Sequence, residues 1–77
     1  MQLKCFRHHH EFQFALTFID GKHVVLDLAP LIGKHVPLNA LNSARIDPEW
    51  GCLEFCDGAV DIDPSTLYAY SESKSVE

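Results

Sequence analysis

The sequence predicts a two-layer α+β domain, a small antiparallel sheet of two hairpins with one or two short helical turns. Three features predict it. Phe12, Phe14, Leu16 and Phe18 alternate with Gln13, Ala15, Thr17 and Ile19, the period-two pattern of a half-buried strand. Asp20-Gly21 then separates this strand from a second run in which Val24, Leu26 and Leu28 share one parity, and such a dipeptide tolerates the positive φ of a hairpin turn. Late in the chain, Asp57-Gly58 marks a turn and Asp63-Pro64-Ser65-Thr66 a helix start, with Asp63 as N-cap and Pro64 at the first helical position.

The remaining elements follow in order. Leu3, Cys5 and Arg7 share one parity of a weak strand or lead-in. Pro30 ends the strand that holds Leu28, because proline has no ladder donor, and Gly33 stops the short helical turn begun there. Pro37 to Asn42 forms another turn that brings Leu38 and Leu41, three residues apart, onto the sheet together. Ala44 to Asp47 and Cys52 to Cys56 are the strands of the second hairpin, joined by the turn Pro48-Glu49-Trp50-Gly51. In its second strand Leu53 and Phe55 share the inner face, while Cys52, Glu54 and Cys56 share the other. The last helix is expected to be brief, because SESKSVE offers no apolar stripe to bury. Residues 1–70 therefore make one domain, and residues 71–77 a flexible tail.

With 77 residues, the chain has room for one core, near the size at which a domain buries only about 60% of its unfolded surface. Its formal net charge is −5, from eleven acids against six scattered bases. No basic stripe exists to track a phosphate backbone, so nucleic acid is not an expected partner of this domain alone. An acidic surface suits a basic protein. No signal-peptide or membrane-spanning run is present. Cys52 and Cys56 lie roughly 13 Å apart along an extended strand, too far for a mutual disulfide. Reduced thiols and a cytoplasmic location are expected.

No chemistry-bearing constellation emerges. Cys5, His8, His9 and His10 are close in sequence, but an extended chain points His8 and His10 one way and His9 the other, short of the four ligands zinc requires. No metal or cofactor is expected. Asp20, Asp57 and Asp63 have turn and cap duties, and Glu54 between Cys52 and Cys56 disfavours a thiolate, so no catalytic residue is assigned. Trp50 is predicted to fold back over the sheet edge; the functional alternative is an exposed anchor for a partner.

The ordered set Leu16-Thr17-Phe18-Ile19-Asp20-Gly21, LDLAPLIG at 26–33, RID at 45–47 and LEFCDGAVDIDPSTLY at 53–68 resembles an uncharacterised bacterial family, domain-of-unknown-function twenty-four forty-two. The motifs are collinear over residues 12–68. Where that family has Trp-Pro-Asn-Gly this chain has Phe55-Cys56-Asp57-Gly58, and the segment before Asp63-Pro64 is one residue longer. The resemblance implies a two-layer α+β domain that stands alone or precedes a helix-turn-helix domain; none is expected here, since the chain ends soon after the domain. It also implies neighbouring toxin-like genes on mobile elements, hence an antitoxin-like or regulatory binding role. It carries no catalytic residues.

The expected function is thus a non-catalytic protein-interaction module, with a small basic protein from an adjacent gene as partner. Open sheet edges invite pairing with a second copy as a homodimer. Cys52, Glu54, Cys56 and Trp50 are the candidate interface. The alternative is a small-molecule or metal-binding domain, suggested by the three histidines with Cys5.

Overall fold

In the computed structural model, which describes residues 2–74, the first hairpin forms as its alternation requires. Strands β2 (Gln13–Phe18) and β3 (His23–Asp27) pair antiparallel, with Phe14 opposite Leu26 and Leu16 opposite Val24. Phe14, Leu16 and Phe18 are fully buried. The Phe18 amide donates to the Lys22 carbonyl, and the Gly21 amide to the Phe18 carbonyl, each at 2.9 Å. Gly21 has φ +95°, so this is a three-residue loop with glycine at its left-handed position.

The N-terminal lead-in is a full strand, β1 (Leu3–His8), on the free edge of β2. Its parity departs from the prediction. Leu3 pairs with Phe18, but Cys5 pairs with Thr17, so Lys4 is an extra residue in a β-bulge. A bulge shifts every later side chain to the opposite face. Leu3 is therefore buried in the core, while Cys5 and Arg7 stand on the other side of the sheet.

Beyond β3 comes the short helix α1 (Ala29–Ile32), whose Ala29 amide donates to Asp27 Oδ1 at 3.0 Å. Gly33 follows it in a right-handed conformation, φ −58°, rather than as a left-handed cap. Its missing side chain matters because a Cβ would lie 2.7 Å from the Ala29 carbonyl oxygen. A 3-10 turn at Leu38–Ser43 buries Leu41. Leu38, predicted to join it, is 58% exposed. The turn packs on the second sheet near its C-terminal end, where Ser43 Oγ accepts the Cys56 amide at 2.8 Å, and Leu38 lies one turn too early to reach it.

The second hairpin also gains a third strand. Strands β4 (Arg45–Ile46), β5 (Leu53–Phe55) and β6 (Val60–Ile62) form an antiparallel sheet in that order. Cys56, predicted as the last residue of this strand, lies outside β5 and is instead the first residue of the turn into β6. Cys56, Asp57 and Gly58 all have positive φ, at 57°, 58° and 87°, so the two overlapping turns closed by the Gly58 amide on the Phe55 carbonyl and the Ala59 amide on the Cys56 carbonyl each have the left-handed central pair that a type I′ turn requires. The two sheets meet where the Leu3 amide donates to the Gly51 carbonyl at 3.3 Å. Gly51 has φ +74°, and a Cβ there would stand 2.7 Å from the Gln2 side chain. Only glycine satisfies both conditions.

Helix α2 (Pro64–Lys74) starts as predicted, with the Ser65 amide donating to Asp63 Oδ1 at 2.9 Å. It does not end early. Residues 71–74, assigned to the tail, complete the helix, and residues 75–77 lie outside the described residues. What anchors it is polar as much as apolar. Leu67 and Ser71 are fully buried, and Ser71 Oγ satisfies itself on the Tyr68 carbonyl at 2.6 Å. Tyr68 donates to Asp20 Oδ2 at 2.9 Å, Tyr70 to the Asp27 carbonyl at 2.7 Å, and Lys22 pairs with Glu72 at 2.6 Å. The helix and the second sheet thus cover one face of the first sheet, a small α+β architecture with a shortest extent of 18 Å.

Two outcomes check this packing. Leu67→Ala is expected to cost about 2–5 kcal/mol in chemical denaturation, whereas Ser71→Ala costs about 1 kcal/mol because donor and buried volume are small. The Asp20 carboxyl is held below the usual carboxylate range, first by the Lys22 amide and then by the Tyr68 hydroxyl. A depressed carboxyl contributes stability above its unfolded pKa and loses it as pH falls through the folded value. The difference in Tm between the native chain and Asp20→Asn is therefore expected to be largest near neutrality and to vanish in acid.

Candidate functional site

Because α2 and the second sheet cover one face of the β1–β3 sheet, its opposite face is open. The register sets two rows across it: Cys5, Thr17 and His23, then Arg7, Ala15 and Val25. The central strand contributes the small residues, and the outer strands the larger ones. The face is therefore concave, a groove of about 360 Å³ also lined by Phe6 and His9. Ala15 at its floor is only 6% exposed, although no element covers it; the flanking side chains shelter it.

Polar groups converge on this floor from three sides. Thr17 Oγ1 and His23 Nδ1 lie 3.0 Å apart, a contact that orients the ring. Among the described residues, no ion pair engages Arg7. No carboxylate lines the groove. Asp27, next along this face of β3, has its Oδ1 committed to the Ala29 amide. The backbone amides of the strands lie in the plane of the sheet, so side chains alone supply donors into the groove.

The four residues singled out as an interface do not form one exposed patch. Glu54 is 8% exposed, not a solvent-facing interface residue. It faces Arg45 across the β4–β5 pair and accepts from its Nε at 2.7 Å. Gly58 leaves space for it, since a Cβ there would stand 3.2 Å from Glu54 Oε1. Cys56 is half-buried in the strained turn. Cys52, also half-buried, has its thiol pushed up by burial and by Asp61, Asp63, Asp47 and Glu54. Trp50 does not fold back over the sheet edge: it is 66% exposed in the β4–β5 turn. The three cysteines are free.

The histidine triplet is divided by the same sheet. His8 stacks on Phe14 with centroids 4.5 Å apart, and its Nε2 lies 2.7 Å from the Glu11 carbonyl. His9 lines the groove with Cys5. Among the described residues, no three His, Cys, Asp or Glu side chains group as metal ligands would. Nor is any helix among them long and apolar enough to cross a membrane.

Arg7 and Thr17 escaped the sequence reading for a definite reason, although Cys5 and His9 were singled out. Arg7 and Cys5 share parity with the core residue Leu3, and nothing in the local sequence announces the bulge at Lys4. The available signal was the small pair Ala15 and Thr17 on the polar parity of a strand otherwise rich in phenylalanine.

Fold and groove together define a small two-layer α+β domain with a ligand-sized open surface. The family described as Protein of unknown function (DUF2442) matches residues 6–73, nearly the whole of the described fold, and the chain belongs to it. Comparison with curated proteins and with solved structures returned no match.

The buried carboxylate supplies a test of the second sheet. Arg45→Ala leaves Glu54 shielded and unpaired, and is expected to cost about 1–3 kcal/mol in urea denaturation. Gly58→Ala adds backbone strain and crowds the same carboxylate, and is expected to cost at least about 1 kcal/mol.

Proposed function

We propose that this protein is a non-catalytic interaction module whose acidic second sheet binds a small basic protein. Exposed Trp50 carries the reading. Tryptophan is enriched among binding hot spots. Its turn is held by internal bonds, the Glu49 amide donating to Asp47 Oδ1 at 2.9 Å and the Gly51 amide to the Asp47 carbonyl at 2.8 Å. A rigid loop loses little entropy on docking.

Charge favours the same partner. Between residues 45 and 63 stand Asp47, Glu49, Glu54, Asp57, Asp61 and Asp63 against Arg45 alone. Such a field speeds association with a cationic surface and fades with salt. The elevated Cys52 thiol favours binding over nucleophilic chemistry. The specific form we favour is antitoxin-like, in the cytoplasm of a bacterium, with the partner encoded nearby. Self-association through the free edges of the two sheets is its competitor for the same surfaces.

Co-purification of the full chain with basic products of adjacent genes tests the reading. Trp50→Ala is expected to weaken the complex at least about tenfold without moving Tm, and added salt to slow its formation. If no neighbouring product binds at any ionic strength, or if Trp50→Ala binds as well as the native chain, the proposal fails. Light scattering separates this outcome from homodimer formation.

A further inference from the structure

We infer that the open groove on the β1–β3 sheet is a binding site for a small organic carboxylate with an apolar body. It is distinct from the acidic surface around Trp50 and does not depend on the function proposed for that surface.

The choice of ligand follows from the lining. Its volume, about 360 Å³, falls at the lower end of small-molecule sites. Arg7, His9, His23 and Thr17 supply donors, whereas no acid lines the groove of a chain whose net charge is −5. The charge complement is therefore an anion. Arg7 has no ion-pair partner among the described residues, and a guanidinium fork matches a carboxylate in two parallel hydrogen bonds. Thr17 and His23, 3.0 Å apart, sit one row away on the same face, placed to receive the second carboxylate oxygen or a neighbouring hydroxyl.

A phosphate suits the site less well. Phosphate sites draw on backbone amides at nests or helix N-termini, and the amides beneath this groove lie in the sheet plane. Instead the floor is apolar. Ala15 and Val25 provide it, and Val25 remains 50% exposed. An aromatic or branched aliphatic body would cover that surface while its carboxylate meets Arg7.

The test uses the full chain, with amide NMR and thiol alkylation as readouts. Benzoate is expected to give saturable shifts at Cys5, Arg7, Thr17 and His23, while benzamide and phenyl phosphate bind at least about tenfold more weakly. Arg7→Gln, at an exposed position, is expected to lose at least about tenfold in benzoate affinity with an unchanged fold. Arg7→Lys should lose less. Bound benzoate should also slow iodoacetamide modification of exposed Cys5 and leave Cys52 and Cys56 unaffected. Equal binding of benzamide, tighter binding of phenyl phosphate, shifts that map elsewhere, undiminished binding by Arg7→Gln, or no saturable binding would each overturn the inference.

Discussion

The structure depends on the packing of two aromatic residues of one strand. Phe14 meets Phe55 edge-on with centroids 5.8 Å apart, and Phe18 meets Tyr68 edge-on at 4.9 Å. The first contact holds the second sheet to β2, and the second holds α2 to it. Such pairs add to burial through the ring quadrupoles. Both phenylalanines belong to the central strand and point the same way, so a single face of a single strand gathers every later element. In a chain too short for a second core, that concentration leaves no element to cover the other face.

From this asymmetry the groove arises. The covered face takes Phe14, Leu16 and Phe18, and the open face is left with Ala15 and Thr17. The bulge at Lys4 then turns Cys5 and Arg7 toward that open face and returns Leu3 to the core. Without the extra residue, the parity that buries Leu3 would also bury Arg7. One irregularity thus reconciles a basic edge strand with an apolar interior. It also segregates charge. Lys4, Arg7 and the three histidines precede any acid, whereas the segment from Asp47 to Asp63 is acidic throughout.

The second sheet shows how a short sheet accommodates groups that its alternation would expose. Glu54 alternates with Leu53 and Phe55, yet all three are buried. Arg45 meets the carboxylate from the neighbouring strand, and the left-handed run Cys56-Asp57-Gly58 wraps the turn against it. Two non-glycine residues with positive φ are costly, and the fold holds them with the Ser43 hydroxyl on the Cys56 amide.

The sequence by itself determined the elements whose signals are local. The alternation from Phe12 to Phe18 with Asp20-Gly21 set the first hairpin, and Asp63-Pro64 set the start of α2, because periodicity and turn chemistry act within a few residues. The fold class and family were legible for the same reason, as an ordered series of such signals. Only the tertiary structure decided the bulge at Lys4, the length of α2, the burial of Glu54 and the exposure of Leu38 and Trp50. The length of α2 and the burial of Glu54 depend on partners in other elements. Tyr68 needs Asp20, Tyr70 needs Asp27 and Glu54 needs Arg45, and no window of sequence contains both members of the first two pairs. The groove belongs with these, since three strands must be in register before Arg7, Thr17 and His23 share a face.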